Sequence, residues 1–68
     1  MLDVKNNIKN LISGIYECQK KIILNRSFIR ELEAEGDDVS KLISEIEELK
    51  HKIYTYQKEL KKRYQFTY

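Results

Sequence analysis

Proline and tryptophan are absent from this 68-residue chain, glycine occurs only twice and cysteine once. Without proline, the residue that most firmly interrupts a helix is missing. Two glycines supply little material for the tight turns of a sandwich or barrel, which disfavours β architecture. The lone Cys18 cannot close an internal disulfide, so the cross-linked framework of small secreted domains is excluded and a cytoplasmic setting is the expectation. Long apolar runs are missing too. The longest aliphatic run, Ile22-Ile23-Leu24, falls far short of a membrane span, and Met1-Leu2-Asp3-Val4-Lys5 does not read as the opening of a signal peptide. The formal charge of +2 is too small to imply a nucleic-acid or membrane partner by itself.

Charged residues make up 35% of the chain and apolar residues 41%, a balance typical of long helices and coiled coils. A single domain of this length lies near the lower limit for a self-sufficient core, so help from self-association or a partner is expected. Apolar residues recur at Val4, Ile8, Leu11, Ile15, Cys18, Ile22, Ile29 and Leu32 in alternating steps of four and three, with Asn25 at the one polar position of the series. A second series runs Val39, Leu42, Ile46, Leu49, Ile53, Tyr56 and Leu60. An average step of 3.5 residues keeps one stripe facing one neighbour and implies a left-handed supercoil.

Between the two series stands Gly36, a natural helix stop, followed by Asp37 and Asp38, either of which can cap the next helix. The expected organisation is one unit over 1–68: a helix over 3–35, a turn over 36–38, a helix over 39–65 and a short aromatic tail over 66–68. So short a turn makes the helices antiparallel neighbours. Folding about it sets Leu32 near Leu42, Ile29 near Ile46, Asn25 near Leu49, Ile22 near Ile53, Cys18 near Tyr56 and Ile15 near Leu60. Asn25-Arg26-Ser27 offers caps for a fresh helix, but the heptad phase runs through unchanged, which favours one continuous helix with Asn25 as a buried, register-fixing polar residue.

A hairpin covers one side of each helix, yet apolar residues also lie off the seam. Ile12, Tyr16 and Ile23 form a second stripe on the first helix, with Leu24 and Phe28 on its other side, and Ile43, Tyr54 and Tyr64 widen the apolar surface of the second. Such width belongs to a bundle helix and points to a homodimer, these residues being the candidate dimer or partner face. Charge is segregated as well. Residues 31–48 hold eight acidic side chains and one basic, while residues 1–30 hold six basic and two acidic, and residues 49–68 six basic and one acidic. The turn end of the hairpin is thus acidic and the end bearing the termini basic. Two such rods attract when antiparallel, each acidic tip meeting a basic end.

Acid–base catalysis needs converging titratable groups, and nucleophilic catalysis needs a Ser, Cys or Lys beside an activating base. Neither pattern is present. His51 falls on an outward heptad position several turns from Cys18, which reads as a small core residue. The acidic cluster lacks calcium-loop spacing, and there is no glycine-rich phosphate loop. No catalytic residue, metal or cofactor is expected. In the C-terminal stretch, basic residues interleave with aromatics, making Lys58, Lys61, Lys62, Arg63 and Tyr64 candidate nucleic-acid contacts. The competing reading is structural: the cations complement the helix dipole, and Tyr64, Phe66 and Tyr68 fold back over Val4 and Ile8.

In outline, two helices with a short acidic turn resemble the RNA-binding Rop family of four-helix-bundle dimers, a resemblance that implies dimerisation and assigns no residue. The stretch Ile43-Ser44-Glu45-Ile46-Glu47 is similar to the Ser-Gln-Glu-Leu-Asp motif of short helical-hairpin aspartyl phosphatases, but it lacks the leading Ser and has Glu in place of Asp. That activity is not carried over. The sequence therefore predicts an all-α protein, an antiparallel two-helix coiled-coil hairpin dimerising into a four-helix bundle. Its expected role is that of a non-enzymatic interaction module, an inhibitor, adaptor or regulator of a larger protein, with a nucleic-acid-binding dimer as the alternative.

Overall fold

The computed structural model describes residues 4–67. Two helices make up the fold, α1 (Val4–Ala34) and α2 (Ser40–Tyr64), packed along each other as a hairpin with principal extents of 52 × 15 × 15 Å. The expected start of the first helix at Asp3, and Tyr68 in the tail, lie outside the described residues.

Helix α1 runs unbroken through Asn25-Arg26-Ser27. It ends in a complete Schellman motif. Gly36 adopts φ 80°, the Gly36 N–H donates to the Glu33 carbonyl at 3.0 Å and the Asp37 N–H donates to the Leu32 carbonyl at 2.9 Å. These bonds satisfy carbonyls that a helix end leaves orphaned. Helix α2 begins differently. Val39 occupies the cap position with no side-chain bond of its own, while the Asp38 carboxylate, one residue earlier, accepts the Ser40 N–H at 3.0 Å and the Ser40 hydroxyl at 2.6 Å. Asp38, and not Asp37, therefore serves this helix start. Those two bonds favour the ionised carboxylate and hold its pKa below the ordinary aspartate value.

The core is a narrow strip along the seam between the two helices. Ile15 and Leu60 are fully buried, and Cys18, Ile22, Ile46 and Leu49 form the central cluster, against which Ile29, Ile53 and Tyr56 pack. Ile8, Leu11, Leu32, Val39 and Leu42 are partly buried nearer the ends. Val4 departs from the seam expectation and remains half exposed. Val4 is the first residue of α1, at the open end of the hairpin, and the buried strip begins only at Ile8. Phe66 also stays exposed, and it does not bury Val4.

Candidate interaction surface

The seam leaves the hairpin two broad faces, and specific contacts mark one of them. Asn25, buried, donates through Nδ2 to Glu45 Oε1 at 2.9 Å, and Gly14 lies so close to Tyr56 that a Cβ there would stand 2.9 Å from the ring's Cε2. Gly14 and Glu45 each immediately precede a seam residue, Ile15 and Ile46. In an antiparallel pair, equivalent heptad flanks of the two helices lie on the same face, so these contacts define one face of the rod. Phe28, preceding Ile29, belongs there too, with Leu24 one turn before it.

The opposite face is built by residues that follow the seam. Ile12 follows Leu11, Ile43 follows Leu42 and Tyr64 follows the next heptad position, Arg63. Tyr16, Ile23 and Tyr54 lie one step farther out on the same flank. Of the eight residues expected to form a free face, six are exposed: Tyr16, Ile23, Leu24, Phe28, Ile43 and Tyr54. Ile12 and Tyr64 are half-buried. The structure thus sorts the candidates into two groups, with Leu24 and Phe28 on the Gly14–Tyr56 face and the other six on the face opposite.

Two tyrosines of the larger group carry lysines from their own helix. The Lys20 ammonium stands 5.4 Å from the Tyr16 ring centroid, and that of Lys58 stands 5.9 Å from the centroid of Tyr54. Both are i,i+4 pairs, in which a lysine stem covers part of the ring while its charge stays in water. Tyr54 nonetheless remains 59% exposed and Ile23 66%. The total accessible surface is 5609 Å², against roughly 4,500 Å² for a compact monomer of this mass. The excess is of the order of the ~800 Å² that each partner contributes to a standard protein interface.

The basic residues cluster at the end of α2. Lys58, Lys61, Lys62 and Arg63 are all exposed, and a shallow furrow on the helix surface is bordered by Thr55, Lys58, Glu59, Lys62 and Arg63. Arg63 is partly neutralised by Glu59 at 3.7 Å. Cys18 is buried and His51 exposed, and the two are not brought together in the core cluster. Among the described residues, no group of three His, Cys, Asp or Glu side chains is placed to hold a metal ion, and no helix is long and apolar enough to cross a membrane.

Two features were not singled out from the sequence. Gly14 stands inside a heptad run where glycine costs about 1 kcal/mol relative to alanine, which is itself the signal of a close approach by another group. Glu45 as the partner of Asn25 follows only once the two flanks are matched across the hairpin.

The fold and surface define a two-helix hairpin with apolar residues left open on both faces. Comparison with protein-family models, curated proteins and solved structures gives no match.

Proposed function

We propose that this chain is a non-enzymatic protein–protein interaction module that pairs with itself into a four-helix bundle and occupies a surface on a larger protein. The observation that carries this reading is the persistence of large apolar side chains outside the intramolecular seam, on a rod only 15 Å thick. A hairpin that worked alone would gain nothing from Ile23, Leu24, Phe28 and Tyr54 in water, whereas helix-face recognition uses such anchors. Action would be by occupancy, as an inhibitor, adaptor or regulator.

Leu24 and Phe28 provide the test of the hetero-partner. Full-length wild-type protein and the Leu24→Glu/Phe28→Glu variant, tagged identically, are used as bait in cells. A protein retained by wild type and lost from the variant, with helix content unchanged by circular dichroism, is the expected result. Identical captured sets would contradict the reading.

A second reading rests on the exposed cations bordering the α2 furrow, which supply phosphate contacts beside Tyr64. In that case Lys58, Lys61, Lys62, Arg63 and Tyr64 bind single-stranded or duplex nucleic acid. Binding to nonspecific RNA and DNA at 50 and 200 mM salt separates the two. Phosphate contacts weaken steeply with salt, and no binding at the lower concentration eliminates this second reading.

A further inference from the structure

On α2, the larger apolar face has an order that matches its own reverse. Along α2, Ile43 precedes Tyr54 by eleven residues and Tyr64 follows it by ten, roughly 16 and 15 Å along the axis. Glu47 precedes Tyr54 by seven residues and Lys61 follows it by seven, all three on the same heptad position. Along α2, a twofold axis through Tyr54 therefore lays Ile43 against Tyr64 and Glu47 against Lys61. Self-complementarity of this kind is what an interface between identical copies requires.

We infer that a second copy of this chain seats on this face, antiparallel to the first, about a twofold axis at Tyr54. The inference rests on the homodimer reading above and specifies its face and axis. Tyr54 meets its own counterpart, Ile43 of one copy meets Tyr64 of the other, and Glu47 meets Lys61. The axis lies across the hairpin, so α2 stacks on α2 and α1 on α1.

Segregated charge selects this orientation over the parallel one. The span from Glu31 to Glu48 carries eight acidic side chains and one basic, and in a parallel pair two such tips would coincide. The antiparallel pair places each tip against the basic end of the other copy. Among the described residues of one hairpin, Glu47 pairs with Lys50 at 3.6 Å, a pair whose side chains are largely exposed, so Glu47 can reach across. The Gly14–Tyr56 face, with Leu24 and Phe28, stays outside the interface.

Charge reversal on the full-length chain tests the axis. By sedimentation equilibrium, Glu47→Lys and Lys61→Glu each weaken dimerisation about tenfold, since each change places two like-charged pairs across the interface. The double variant recovers to within about threefold of wild type. Cross-linking gives a second readout, in a Cys18→Ser background with a flexible bismaleimide. Tyr54→Cys links two copies efficiently, whereas Phe28→Cys does not, and both substitutions fall on exposed sites. A chain monomeric at every concentration overturns the homodimer reading and this inference with it. A chain that dimerises without rescue in the double variant, or that links through Phe28→Cys and not Tyr54→Cys, overturns the axis alone.

Discussion

Gly14 and Tyr56 illustrate how a single absent methyl group sets a packing distance. The Tyr56 ring approaches the α1 backbone so closely that a Cβ at position 14 would overlap it at 2.9 Å. Gly14→Ala gains about 1 kcal/mol of helix propensity and loses a comparable or larger amount to the overlap. Alone, the change is expected to leave stability unchanged or lowered. In a Tyr56→Ala background the same change stabilises by about 1 kcal/mol, and urea denaturation of the four proteins of the cycle measures the difference. Asn25 is the other residue whose identity matters. Its amide is buried and bonded to Glu45, whose carboxylate lies at the surface. Asn25→Leu is expected to raise stability by about 1 kcal/mol, because it removes a buried polar group while Glu45 returns to water. A denaturation midpoint that falls instead would show that the bond contributes more than the apolar contact replacing it. The heptad position of Asn25 was readable from spacing alone. Its partner was not, since that depends on which flanks the antiparallel fold brings to one face.

The two helices end by different chemistry. Helix α1 stops with glycine in the left-handed conformation, and α2 stops with Gln65 at φ 52°, where the Gln65 N–H donates to the Lys61 carbonyl at 3.0 Å and the Phe66 N–H to the Leu60 carbonyl at 3.1 Å. A side chain in that region costs about 1 kcal/mol that glycine avoids. Gln65→Gly is therefore expected to raise the thermal midpoint, and Gly36→Ala to lower it. Calorimetry reads both signs. At the start of α2, the Ser40 bonds hold Asp38 ionised to lower pH than in the unfolded chain. The stabilisation they give is complete above the ordinary aspartate range, about pH 4, and is lost as pH falls through the lowered folded value. The Ser40 amide resonance should report that loss, and Asp38→Asn should remove most of the pH dependence. Helix existence, the turn at Gly36 and the antiparallel order were all legible, because period and glycine placement are local signals. The exposure of Val4 was not legible, because heptad spacing marks which side chains face the seam and not how far the partner helix covers them.

As a whole, the molecule is a 52 Å rod whose core is a single strip of side chains, with apolar residues left over on both faces. A thin rod spends more of its surface on water than a compact domain of the same mass, and the proposed association would recover part of it. Charge segregation along the rod was visible in the sequence as three blocks, but the division of the off-seam apolar residues between two faces required the hairpin geometry. Sedimentation equilibrium of the full-length chain from 1 to 100 μM, with helix content followed in parallel, tests the central claim most directly. A dimer that forms over this range, strengthens as salt is lowered and raises the thermal midpoint with concentration is the predicted result. A fully helical monomer throughout would contradict it.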